Sequence, residues 1–155
     1  MVLPLGFTEN HLKIWGMQRD GLSLAEIARR LGVTRQAISK SMKEIDSKVS
    51  RTLESTAAAA KIEVRYTDPE KGVLLGYSHE TEDRVIVTFS TRHGVHIWHY
   101  YSGRCEGCEL HETCRKVILD EAEERGIVLT DEEEGRSPAE IARLVFSKVI
   151  PGLEP

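Results

Sequence analysis

The sequence predicts an α+β protein: an N-terminal helix-turn-helix domain, a helical connector, and a C-terminal small antiparallel sheet with two helices. Three observations carry this prediction. Apolar residues recur at helical spacing from Thr8 to about Ala60, then alternate with polar ones through Tyr101, and return to helical spacing after Cys114. The expected boundaries are 1–50 for the helix-turn-helix domain, 51–60 for the connector and 61–155 for an α+β domain carrying a cysteine loop.

The first helix starts at the hydroxyl cap Thr8, places Leu12, Ile14, Trp15 and Met17 at apolar positions, and stops near Gly21. A second follows Ser23, with Leu24, Ile27, Ala28 and Leu31 on one face and Gly32 ending it. Thr34 caps a third, in which Ile38, Met42, Ile45 and Val49 recur at steps of four, three and four. The stripe continues through Leu53, Thr56 and Ala60, so the third helix either runs on or hands over to a fourth. An amphipathic stripe of Ile45, Val49, Leu53 and Thr56 that finds no partner within the first helices reads as the seam of a homodimer.

Beyond Ala60 the period shortens to two. Ile62, Val64 and Tyr66 alternate with charged residues, and Asp68-Pro69-Glu70-Lys71-Gly72 has the composition of a turn. Val73–Ser78, Arg84–Ser90 and Gly94–Tyr101 are rich in β-branched and aromatic residues, giving about four antiparallel strands. A loop from Ser102 to Cys114 precedes a helix from about Glu112 to Arg125, closed by Gly126. Asp131 to Glu134 reads as a solvated acidic loop. Ser137-Pro138-Ala139-Glu140 is a capping box with proline at the first helical position, and the last helix carries Ile141, Leu144, Val145 and Val149 as far as Pro151.

The chain has 155 residues and a formal net charge of -4, an average that hides an asymmetry. Met1 to Ala60 holds 9 Lys+Arg against 6 Asp+Glu, a net of +3; Lys61 to Pro155 holds 12 against 19, a net of -7. A basic head on an acidic body points to separate tasks. No apolar run approaches the roughly 20 residues that span a bilayer, and MVLPLGFTEN lacks the basic and apolar regions of a secretory signal, so the expected location is the cytoplasm with no membrane partner.

From Leu24 to Lys43 the chain reads LAEIARRLGVTRQAISKSMK. Two tightly crossing helices need a small side chain at the crossing, which Ala28 supplies, and a turn residue that tolerates positive φ, which Gly32 supplies. Ile38 fills the gap from the other side, with Ile27, Leu31 and Val33 completing a small core. The outward face of the third helix then offers Thr34, Arg35, Gln36, Ser39, Lys40 and Lys43, donors suited to base edges and phosphates. The run from Phe7-Thr8-Glu9 through Ile45 resembles the helix-turn-helix of the sigma region 4 and LuxR type, especially that of archaeal Tfx-like regulators. The resemblance implies a transcriptional regulator that binds double-stranded operator DNA through a recognition helix spanning Thr34 to Lys43.

All three cysteines fall between Cys105 and Cys114, as C-x2-C-x5-C with His111 between the last two. Closely spaced thiolates on one loop can reach several corners of an iron-sulfur cluster, and [4Fe-4S] is the favoured expectation. The fourth site would fall to His111, to His99 or His96, or to an exchangeable ligand. Zinc bound by Cys105, Cys108, Cys114 and His111 is the alternative, although four ligands within ten residues are cramped for a structural tetrahedron. Three ordinary thiols are the third reading. His96 and His99 are an odd number apart on a strand and face opposite sides, while Trp98, Tyr100 and Tyr101 read as core aromatics. No carboxylate and lysine set, phosphate-cradling glycine loop or Ser/His/Asp arrangement is apparent, so the expectation is a regulator that senses redox state or a related signal rather than an enzyme.

Overall fold

A computed structural model of the chain describes residues 6–100 and 105–155. Helices α1 (Glu9–Arg19), α2 (Leu24–Leu31) and α3 (Arg35–Ala59) come first. Strands β1 (Ile62–Asp68), β2 (Val73–Ser78), β3 (Asp83–Ser90) and β4 (Gly94–His99) follow, then α4 (His111–Glu124), the single turn α5 (Asp131–Glu134) and α6 (Pro138–Ser147). Among these elements no helix is long and apolar enough to cross a membrane.

Each early helix begins where the sequence provides a cap. Thr8 accepts from the backbone N–H of His11 while His11 returns a contact to the Thr8 N–H. Ser23 and Thr34 accept from Glu26 and Ala37 in the same way. Gly32 closes α2 in the left-handed region, at φ 67 and ψ 32, and the next amide, Val33 N–H, bonds back to Ala28. Ile27, Ala28 and Ile38 are buried at this corner and Leu31 is half-buried; Val33, expected in the core, is 47% exposed because the turn aims it outward.

The third helix runs on without a break for 25 residues. Its buried stripe is Ile38, Met42, Ile45, Val49, Leu53 and Ala57, and Ile45, Val49, Leu53 and Ala57 are wholly covered by the chain's own residues. The expectation of a dimer seam along Ile45, Val49, Leu53 and Thr56 is therefore incorrect. The stripe's partner is the sheet, which the helical period alone does not reveal. Residues 51–59 of the expected helical connector are the final turns of α3, capped by Ala60, and bring Leu53 and Ala57 into the core.

The sheet is an antiparallel meander in the order β1-β2-β3-β4. Ile62, Leu74, Val85, Val87 and Phe89 face α1 and α3, together with half-buried Val95 and Ile97. Val73, Ile86, Trp98 and Tyr100 face the opposite way, against Val117, Ile118, Ala122, Ile141, Val145 and Phe146 of α4 and α6. Both faces are thus covered, so Val85 to Ser90 are buried without alternation. The acidic stretch expected as a loop is instead the helical turn α5, because Thr130 and Glu133 form a capping box; its residues remain outside the core.

Polar side chains tie α4 across the sheet. Buried Thr88 donates to Glu121 Oε1 at 2.9 Å and accepts from the indole N–H of Trp98 at 3.1 Å. Arg125 donates to Glu121 Oε2 at 2.9 Å and to the carbonyls of Lys71, Gly72 and Phe89. A buried carboxylate with all these donors is satisfied, and removing either partner would leave an uncompensated charge.

Candidate functional site

The residues expected to contact DNA lie at the start of α3. Thr34 is the cap, with its hydroxyl accepting from Ala37 N–H at 3.1 Å and its own proton left to donate. Arg35, Gln36, Lys40 and Lys43 are exposed and Ser39 is half-buried. Gln36, Lys40 and Lys43 stand at i, i+4 and i+7 on one face, with Arg35 and Ser39 beside them. Among the described residues, neither Arg35, Lys40 nor Lys43 forms an ion pair, whereas the nearby Lys48 is held by Glu44. The positive charge of this face is therefore uncompensated, and the N-terminus of α3 adds its own partial positive charge.

Sequence reasoning overlooked Arg29 and Arg30. They are exposed in the last turn of α2, beside the same corner. The signal was their place directly before the Leu31-Gly32 stop, where side chains flanking a tight turn lie close to the start of the next helix.

The cysteine segment is built from two successive turns that run into α4. Cys108 N–H bonds to the Cys105 carbonyl at 3.2 Å, with Gly107 at φ 75, a conformation that favours glycine. His111 N–H then bonds to the Cys108 carbonyl at 3.2 Å, and Cys114 N–H to Leu110 at 2.8 Å. Cys108 is exposed, while Cys105 and Cys114 are half-buried. Burial, followed by the charges of neighbouring Cys105 and Cys108, pushes the Cys114 thiol up. Cys105 and Cys108 are thus close enough to Cys114 to disfavour its thiolate.

Among the described residues, however, no group of three or more His, Cys, Asp and Glu side chains is gathered as a ready metal site. His111 begins α4 and its Nδ1 lies 3.3 Å from a Glu112 carboxylate oxygen. His96 packs against Trp98 with ring centroids 4.1 Å apart and planes tilted by 39°, on the α4 side of the sheet, and the titratable group that acts on it is His93 rather than a thiol. His99 is exposed and shares the opposite face with Val95 and Ile97. Trp98 and Tyr100 are core residues, as expected. Tyr101 and the loop residues 102–104 lie outside the described residues.

Compared with family models, curated proteins and solved structures, the chain matches none of them.

Proposed function

We propose that this chain is a DNA-binding transcriptional regulator that inserts the start of α3 into the major groove of a double-stranded operator. The observation that carries the reading is the uncompensated row Arg35, Gln36, Lys40 and Lys43, displayed from a helix pair whose corner is fixed by Ala28, Gly32 and Ile38. Arg35 and Gln36, in the first turn, are the base-edge candidates; Thr34, Ser39, Lys40 and Lys43 suit the phosphates. The acidic body, with its net of -7 from Lys61 onward, would be repelled by the duplex and so favours approach by the basic head. Homodimerisation on two half-sites belongs to the same reading. Its surface would lie elsewhere than the buried stripe of α3.

The test is selection of a binding site from random duplex, followed by alanine substitution. Arg35→Ala or Gln36→Ala should cost about 1 to 3 kcal/mol on the selected site if the residue reads a base. Lys43→Ala should weaken all sequences alike and lower the salt slope by about one. A folded Arg35→Ala/Gln36→Ala/Lys40→Ala protein that binds as the wild type does would refute the assignment.

The spacing of the three cysteines on one loop supports sensing as part of this function. Cys105, Cys108 and Cys114, with His111 nearest in the chain, would hold an iron-sulfur cluster or, in the alternative, a zinc ion. Such a group would supply redox or metal-dependent control. The turns at Cys105–Cys108 and Cys108–His111 would draw the thiols together, and α4 would carry any rearrangement of the loop toward Glu121, Glu124 and Arg125 at its far end.

A further inference from the structure

Between α4 and α5 the chain passes through Ile127, Val128, Leu129 and Thr130 without entering a regular element. We propose that this segment is an open strand edge that docks an extended peptide of another protein, one in which apolar residues alternate with Lys or Arg. The inference rests on neither the DNA face nor the cysteines.

The backbone comes first. Ile127 and Leu129 pack onto the core beneath α4 and α6, while Val128 and Thr130 are exposed. This alternation is the placement of side chains along an extended strand. Both ends of the segment are fixed. Gly126, at φ 68, turns the chain out of α4, and Ile127 N–H bonds to the Ala122 carbonyl at 2.9 Å. At the other end Thr130 N–H donates to Glu133 Oε1 at 2.9 Å. Between them the N–H groups of Val128 and Leu129 and the carbonyls of Ile127, Val128 and Leu129 have no hydrogen-bond partner among the described residues. In an extended chain the N–H and carbonyl of one residue point to the same edge, so Val128 can exchange both bonds with one residue of an incoming strand.

The side chains say what that strand carries. Val128 is 88% exposed, more than any other large hydrophobic residue described. A lone exposed valine needs no explanation. This one borders a groove of about 390 Å³ whose apolar lining includes Leu119, Ala122 and Leu129 and whose charged lining is Asp120, Glu123 and Glu134, with no cation. From Leu119 to Glu134 the chain holds eight carboxylates and one cation, Arg125, which is buried against Glu121. Asp120 and Glu123 already meet Arg92 at 3.3 Å. Asp131 and Glu134 are exposed and form no ion pair. An apolar side chain of the occupant would enter the groove beside Val128, and its basic neighbours would lie toward Asp131 and Glu134. A second copy offering the same segment would bring two acid-rich strips of like sign together, so the occupant is a different, basic chain.

The experiment is NMR of the isotope-labelled full chain titrated with acetyl-Lys-Val-Lys-Val-Lys-Val-amide. Its counterpart with Glu in place of Lys, and a cationic analogue N-methylated at each valine amide, are the controls. The cationic peptide should shift the amides of residues 126–130 and slow hydrogen exchange at Val128. The acidic peptide should not bind. N-methylation, which blocks the pairing edge and keeps the charge, should weaken binding by about tenfold or more, as hydrogen bonds are lost. Salt at about 1 M, where the screening length is about 3 Å, should weaken it severalfold. Val128→Pro removes the edge donor at an exposed site, leaves Ile127 in the extended region that precedes proline, and should lose binding while the rest of the amide spectrum is kept. No shift within residues 126–130, shifts centred on another face, or equal binding of the N-methylated peptide would each overturn the proposal. So would wild-type affinity in folded Val128→Pro.

Discussion

At the scale of the residue, chemistry announced by type and spacing was legible, and chemistry created by distant neighbours was not. Ala28, Gly32 and Ile38 were identifiable because a tight helical corner constrains size and φ locally. Arg19 and Glu124 gave no signal, since each looks like a solvated charge until the fold buries both. His96 is a similar case. Burial, and then the charge of His93, hold its imidazole below the ordinary value of about 6.5. The unfolded chain therefore takes up a proton at His96 before the folded protein does. The stabilising contribution of a neutral His96 is complete above pH about 6.5 and is lost as pH falls from there through the lower folded value. His96→Gln should flatten the fall of Tm over that interval relative to wild type, and an unchanged slope would show that other groups set it. If the cysteine loop holds the proposed metal centre, Cys105→Ser, Cys108→Ser and Cys114→Ser should each remove the metal from anaerobically prepared protein. About three to four irons with sulfide per chain marks a cluster, and one zinc without sulfide marks the alternative.

At the scale of the element, caps and periods located nearly every helix and strand, but they did not say what each element packs against. The apolar stripe of α3 is the clearest instance. A seam for a second copy and a face for the chain's own sheet share one periodicity, and only the tertiary fold separates them. The burial of Val49 and Leu53 at 0% exposure now dictates the outcome of substitution. Leu53→Ala should lower stability by about 2–5 kcal/mol, the range for deleting a buried leucine side chain. Val49→Glu should unfold the protein rather than produce a folded monomer, because a carboxylate at that depth has no partner. Circular dichroism with light scattering distinguishes these results. A folded Val49→Glu protein of reduced oligomer mass would restore the seam.

At the scale of the whole molecule, the α+β class and the four-stranded antiparallel sheet were legible, whereas the sharing of one core by the first helices and the sheet was not. Alternation marks a half-buried strand, so the second covered face of β3 was hidden in a short apolar run that any buried segment produces. The consequence concerns independence of the parts. Trp15 of α1 bonds through its indole N–H to the Pro69 carbonyl at 3.1 Å and packs edge-on to Phe89, and Phe89 also stacks on Phe7 at 5.0 Å. Ile45, Val49, Leu53 and Ala57 complete the same cluster against Leu74, Val85 and Val87. A fragment of residues 1–60 keeps the capped helices and the residues proposed to contact DNA but exposes Trp15 and much of the α3 stripe to water. Burying a side chain of this size is worth about 1.5–3 kcal/mol, and several are lost together, against a total stability of only about 5–15 kcal/mol for a domain. The fragment should therefore show little cooperative unfolding and, under the proposed function, weak operator binding, while the full chain unfolds in a single transition seen alike by the fluorescence of Trp15 and Trp98 and by far-ultraviolet dichroism. A fragment that melts cooperatively and retains full affinity would show instead that the first three helices fold as a separate domain.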